Sequence, residues 1–265
     1  QLIERVGNVQ GQGATLHQLA GIYADKGEME QAIALLNQSL EITERIGNVQ
    51  GKAATLHQLA GIYANKGEVE QAIALFNQSL EITERIGNVQ GKAATLHQLG
   101  KIYTNKGEVD EAIALYNQSL EITERIGDIG TKAATLRRLG MIYTNKGEVE
   151  QAIALYKESL QIKERIGNVQ GKAATLHQLG RLYANKGEVD EAIALYNQSL
   201  EISQRIGAVR TQAMTLRRLG DLAEQQGEYT KAISYLQPAL EILQRLKSPD
   251  AESVSASLDR IIRNS

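Results

Sequence analysis

The sequence contains no cysteine and no tryptophan, one phenylalanine, two prolines and only four histidines in 265 residues. Without thiols there can be no disulfide, no thiolate zinc site and no cysteine nucleophile. No apolar run approaches the length that spans a bilayer, so no membrane partner is expected. Charge of neither sign dominates: 29 basic side chains face 31 acidic ones. No global field therefore favours nucleic acid or an anionic membrane surface. Hydrophobic residues at 42% and charged ones at 23% fit a folded, soluble chain, and a cytoplasmic setting is expected.

What is present is one phrase repeated every 40 residues. NVQGKAATLHQL stands at 48–59, 88–99 and 168–179, and ALYNQSLEI at 114–122 and 194–202. Six units begin near Gly11, Gly51, Gly91, Thr131, Gly171 and Thr211, and the opening QLIERVG matches EITERIG at 41–47. Residues 1–7 thus read as the remnant of a preceding second helix, 8–246 as six 40-residue units and 247–265 as a capping helix. A start on Gln1, inside a unit, reads as an excised fragment.

Each unit reads as a pair of helices, A then B. In the second unit Ala53, Leu56, Leu59, Ala60 and Tyr63 recur by threes and fours, an amphipathic stripe that puts Tyr63 in the core. Asn48 is the expected N-cap and Gly67 the expected stop. Ala72, Ile73, Phe76, Ser79, Leu80 and Thr83 form the stripe of helix B, ended by Gly87. No stretch alternates as a half-buried strand would, so the chain is expected to be all-α. One helix pair cannot bury its own apolar faces, and successive pairs must stack into a solenoid. Ser248 and Pro249 then mark the N-cap and first turn of a sparsely apolar terminal helix that ends the stack in water.

These residues resemble the tetratricopeptide repeat, which has leucine, a small residue and tyrosine in helix A, then alanine and an aromatic in helix B. The third unit shows Leu96, Leu99, Gly100, Tyr103, Ala112 and Tyr116; the fifth shows Leu176, Leu179, Gly180, Tyr183, Ala192 and Tyr196. Leucine replaces the family's usual tryptophan, serine (Ser79, Ser119, Ser159, Ser199) replaces its later alanine, and its closing proline is missing. The period exceeds the family's usual length of about 34 residues. In this it is similar to the repeats of kinesin light chains, Gα-binding polarity adaptors and bacterial, especially cyanobacterial, signalling arrays. The resemblance implies a right-handed superhelical α-solenoid of stacked antiparallel helix pairs whose A helices line a concave groove for a partner protein.

All four histidines, His17, His57, His97 and His177, occupy one slot of helix A. The side opposite the apolar stripe carries Ala54, His57, Gln58, Gly61, Ala64 and Asn65, and is expected to face the groove. A shared metal would need nitrogens within about 3.5 Å of each other, whereas stacked helix axes lie roughly 8–10 Å apart. No carboxylate is placed as a further ligand, so neither metal nor other cofactor is expected. Repetition does not converge a nucleophile, a base and an oxyanion site, and Thr55 projects from a different part of the helix than His57. The chain is not expected to be an enzyme.

Recognition fits the slot better. His17-Gln18, His57-Gln58, His97-Gln98 and His177-Gln178 offer donors and acceptors suited to a peptide backbone. The resemblance implies the same use, because kinesin light chain repeats commonly carry two asparagines there. Asn65, Asn105, Asn145 and Asn185 add a second row. A merely solvated polar face is the competing reading for each of these residues. Arg137, Arg138, Arg217 and Arg218, joined by Lys101 and Arg181, make the C-terminal half of the face basic and predict an acidic or carboxylate-bearing partner segment there. The carboxylate clamp of co-chaperone tetratricopeptide domains is not reproduced, since its lysine and asparagine slots hold His17 and Gly21. The expected function is a protein-protein interaction module of a larger regulatory protein. A scaffold that self-associates end to end is the alternative, and the basic patch is too local to make nucleic acid the expected partner.

Overall fold

The structure, a computed structural model, describes residues 2–264. Among the described residues there are thirteen helices and no strand, as an all-α solenoid requires. The chain divides into two compact bodies, 1–138 and 139–265.

In the first body α1 (Leu2–Asp25), α3 (Val49–Lys66) and α5 (Val89–Lys106) are A helices, and α2 (Met29–Arg45), α4 (Val69–Arg85) and α6 (Val109–Ile126) are their B partners. Helix α7 (Ile129–Lys146) contributes its first residues to this body and its last to the second. The second body continues with α8 (Val149–Arg165), then the pairs α9 (Val169–Asn185) and α10 (Val189–Arg205), and α11 (Val209–Gln225) and α12 (Tyr229–Arg245). It ends with α13 (Asp250–Asn264). One difference from the sequence reading stands at the start. The chain breaks at the equivalents of Gly7, at Gly47, Gly87, Gly127, Gly167 and Gly207 and finally at Lys247, but α1 runs unbroken through Gly7.

The turns follow from local chemistry. Gly67 adopts φ 85°, which an L side chain rarely does, and its N–H donates to the Ala64 carbonyl at 3.2 Å while Glu68 N–H reaches Tyr63 O at 2.9 Å. These bonds satisfy the carbonyls left open at the end of α3 and turn the chain into α4. At the next entry Asn88 caps α5 by accepting from Gly91 N–H at 2.9 Å. A Cβ on Gly91 would lie 2.8 Å from the Asn88 amide and 2.9 Å from Thr83, so cap and glycine fit as a pair.

Burial corrects the expected stripe in one place. Helix α3 buries Ala53, Thr55, Leu56, Leu59, Ala60 and Ile62. Tyr63 is only half-buried, at the A–B turn, with the Lys66 ammonium 5.8 Å from its ring centre. Ile62 takes the core position because it packs with Leu59 onto Ala32, Ile33 and Leu36 of α2. The fully buried aromatics belong to helix B: Phe76, Tyr116, Tyr156 and Tyr196. Tyr116 lies so close beneath helix A that a Cβ on Gly100 would stand 2.9 Å from its ring.

The serines that replace the family's alanine are also accounted for. Ser79, Ser119 and Ser199 are buried and donate to the carbonyls of Ala53, Ala93 and Ala173, each at 2.9 Å. Each ties helix B to helix A within one repeat and satisfies its own buried hydroxyl. At the far end α13 packs Val254, Leu258 and Ile261 against Leu236 and Leu243 of α12. It begins one residue after Pro249, with Asp250 N–H reaching Ser248 Oγ at 3.3 Å.

Candidate functional site: the A-helix face

The histidine slot does not present open imidazoles. Each ring reaches across to the threonine of the next A helix. His57 Nδ1 lies 3.0 Å from Thr95 Oγ1, His97 Nδ1 2.9 Å from Thr135 Oγ1 and His177 Nδ1 3.0 Å from Thr215 Oγ1, with His17 and Thr55 looser at 3.4 Å. The rings pack edge-on or tilted against the helix B aromatic of their own repeat, Phe76, Tyr116 or Tyr196, at 5.1–5.5 Å between centroids. His177 is 4% exposed. The histidine row therefore also pins successive repeats, while His17, His57 and His97 stay half-buried and His17 and His57 still border the A-helix face. The reason is the stacking itself, which brings a threonine 38 residues on beside each histidine.

The geometry of the threonine hydroxyls favours one tautomer. The Thr95 and Thr135 hydroxyls donate to the carbonyls of Gly91 and Thr131, both at 2.9 Å, so their lone pairs accept from the imidazole. Nδ1 carries the hydrogen, and Nε2 remains an acceptor. Burial keeps these rings neutral. His97 is lowered to about 4 by burial first, then by the charges of Arg138, Arg137 and Lys101. His177 is lowered to about 4 by burial, then by Arg218 and Arg181. Thr175 is served differently: the Lys163 ammonium, itself 4% exposed, donates to its hydroxyl at 2.7 Å.

The remaining polar positions of the first body converge on two cavities. One of about 590 Å³ is lined by His17, Gln18, Gly21, Ala54, His57, Gln58 and Ala94 among others. The second, about 440 Å³, is lined by Gln58, Gly61, Asn65, Gln98, Lys101 and Asn105, with His57 and Phe76 at its edge. Small side chains open both, and Gln58 borders both. Its Oε1 is buried without a hydrogen-bond partner, as is Gln178 Oε1 in the second body. Arg137 and Arg138, at the end of this body, are half-buried beside His97.

In the second body Arg181, Asn185 and Arg218 share a cavity of about 590 Å³ with Tyr196, Asp221, Glu224, Tyr229 and Arg260. Four of the expected site residues of this body lie elsewhere: His177 and Gln178, and also Asn145 and Arg217. Asn145 is exposed near the end of α7. Arg217 is held by the terminal helix, donating to Asp250 Oδ1 at 2.8 Å and Ser253 Oγ at 3.1 Å, so it is not open to a partner. Arg218 lies 3.5 Å from Asp221. Sequence reasoning missed Tyr229 and Arg260 as lining residues, and it missed the threonines. A signal for the threonines existed: each stands two positions before the histidine slot of its own repeat, hence 38 residues after the previous one. Among the described residues no group of three or more His, Asp or Glu is placed to hold a metal ion, and no helix is long and apolar enough to cross a membrane.

Helix pairs of fixed length, stacked so that each pins the next and leaves a polar A-helix face, define an all-α solenoid of repeats. Family models for the tetratricopeptide repeat match residues 11–85, 51–125 and 131–205, and also 215–250. The chain belongs to the tetratricopeptide repeat family. Among solved structures it is similar to the tetratricopeptide-repeat sensor protein of the class of signal transduction ATPases with numerous domains (STAND) from Pyrococcus horikoshii. That likeness has a TM-score of 0.82 at 20% identity, covering 97% of this chain and 39% of that one. Nearly identical repeats of a kinesin light chain from Podosopora anserina match at 25% identity and a TM-score of 0.58, over 74% of this chain and 96% of theirs. A Rap protein complexed with competence and sporulation factor matches at 16% identity and a TM-score of 0.68, over 96% of this chain and 75% of that one. No curated protein sequence matches the chain.

Proposed function

We propose that the chain is a protein-interaction module whose A-helix face holds an extended partner segment, as one arm of a larger cytoplasmic regulatory or signalling protein without catalysis of its own. The observation that carries this reading is Gln58: its buried carbonyl oxygen lacks a partner at the junction of two cavities. A buried acceptor left unpaired is costly, and a partner's backbone N–H would relieve it. Gly21, Ala54, Gly61 and Ala94 leave room for that backbone. The Rap complex and the sensor role of the Pyrococcus repeats support the same use of this fold.

The test is capture from a random-peptide display library by the parent chain and by a variant with Gln58, Gln98 and Asn105 changed to Ala. Peptides enriched on the parent and lost on the equally stable variant are the expected result. Retention of the same peptides by the variant would sink the reading. Self-association has one observation in its favour: Leu19 and Ile22 of α1 are 37% and 53% exposed, whereas their counterparts Leu59 and Ile62 are 4% and 3% exposed. Light scattering that shows the mass of one chain at every concentration excludes it.

A further inference from the structure

We propose that the cavity beside α13 in the second body is a binding site for a single carboxylate of the partner segment, with Arg181 and Arg218 as its ligands and the terminal helix as its wall. This rests on the partner-binding reading above and gives that face its one charged anchor.

The repeats themselves point to the place. Units otherwise nearly identical depart from the common phrase at several positions that line this cavity. Asp221 stands where earlier repeats have Gly61, Lys101, Met141 or Arg181. Glu224 replaces Ala64, Thr104, Thr144 or Ala184, and Tyr229 replaces a valine in each of Val69, Val109, Val149 and Val189. Helix α13 adds Arg260 and Ile261. It is tied to α11 twice, by Arg217 on Asp250 at 2.8 Å and by the Arg260 fork on Glu224 at 2.9 and 3.0 Å.

The charges of the lining then do not cancel. Three guanidinium groups face two carboxylates. Glu224 has both oxygens committed to Arg260, and Asp221 lies 3.5 Å from Arg218. The surplus falls on Arg181, whose Nε is buried with no hydrogen-bond partner. Burial also raises the Asp221 carboxyl, while the Arg218 and Arg260 side chains stay 43% and 59% exposed and so reachable by a partner. An unpaired guanidinium N–H in such a place calls for an acceptor, and a carboxylate meets the fork with paired bonds. One negative charge balances the site. A phosphate dianion would overshoot it and would meet Asp221 and Glu224 at close range. A volume of about 590 Å³ admits a side chain or terminal residue together with its backbone.

The experiment follows the Nε–H resonances of the arginines in the ¹⁵N-labelled full chain. Three probes are titrated: acetyl-pentaalanine with a free carboxylate, the same peptide as its amide, and acetyl-Ala-Ala-Asp-Ala-Ala-amide. Inorganic phosphate is the control. At least one carboxylate-bearing probe is expected to shift Arg181 Nε–H and Arg218 Nε–H, and the all-amide probe is not. Which one does so tells a chain terminus from an acidic side chain. Arg181→Met and Arg218→Met, at parental melting temperature, should each weaken that probe about tenfold. Arg181→Lys, which keeps the charge but not the fork, should weaken it less. An amide probe that binds as well as the acids and moves only A-helix backbone signals would overturn this site while leaving the wider partner reading intact. No shift at Arg181 with any peptide, or tighter binding of phosphate than of the acids, would overturn it as well.

Discussion

Tyr116→Ala is expected to lower stability by about 3–5 kcal/mol, the range for truncating a fully buried aromatic. Tyr103→Ala should cost less than half of that. The two tyrosines belong to one repeat, and the sequence pattern places both on apolar stripes facing the core. The structure separates them. Tyr116 is 0% exposed and fills the space that Gly100 leaves in helix A, so its removal opens a void that the helices cannot close without moving. Tyr103 is half-buried and loses mainly a turn contact with the Lys106 ammonium, 5.3 Å from its ring centre. An exposed contact of that kind contributes about 0.5–1 kcal/mol. Tyr116→Phe should stay within about 1.5 kcal/mol of the parent, because Phe76 fills the same slot in the second repeat. Urea unfolding of the three variants measures this, and equal losses for the two alanine variants would place the core where the sequence pattern had it.

Acid should loosen the stack before the carboxylates titrate. Unfolded histidine titrates near 6.5, whereas His97 and His177 are lowered to about 4 in the folded chain. Between those values the unfolded chain holds protons that the folded one refuses. The contribution is therefore complete above the unfolded value, falls as pH drops, and is gone below the folded one. At about 1.4 kcal/mol per unit, each of the two histidines should remove about 2 kcal/mol by pH 5. The hydrogen bond to threonine is not what fails, since an imidazolium still donates from Nδ1. What acts is the desolvation of a buried charge, with Arg137, Arg138 and Lys101 facing His97, and Arg181 and Arg218 facing His177. His97→Gln with His177→Gln keeps a donor toward each threonine and removes the titration. Its stability should change much less between pH 7 and pH 5 than that of the parent, and parallel pH dependence of the two would contradict the assignment.

The fold was legible because each signal is local and recurs through most of the repeats. Threes-and-fours spacing, Asn48 before Gly51 and the glycine at each turn need no knowledge of what lies across the interface. The site was legible only in part. Gln58, Asn65, Gln98 and Lys101 stand where the helical wheel puts them, on the side away from Leu56 and Leu59. The wheel misses the Thr95 contact of His57 and misplaces Tyr63 because it divides a helix into two faces, while α3 has four neighbours: its own α4, the preceding α2, and the A helices α1 and α5 on either side. Ile62 is claimed by α2, and His57 by Thr95 of the next A helix. Arg217 was misread for a similar reason, since its partners Asp250 and Ser253 are 33 and 36 residues away on a helix whose docking no local pattern encodes.

The most direct test is a long-range ¹H–¹⁵N spectrum of the imidazole rings at neutral pH. If the histidine slot pins one repeat to the next, His57, His97 and His177 will each show a protonated Nδ1 and an unprotonated Nε2, in slow exchange with water. Rings that average between tautomers, or that carry the proton on Nε2, would mean that the histidines face solvent or a ligand and that the repeats are held together without them.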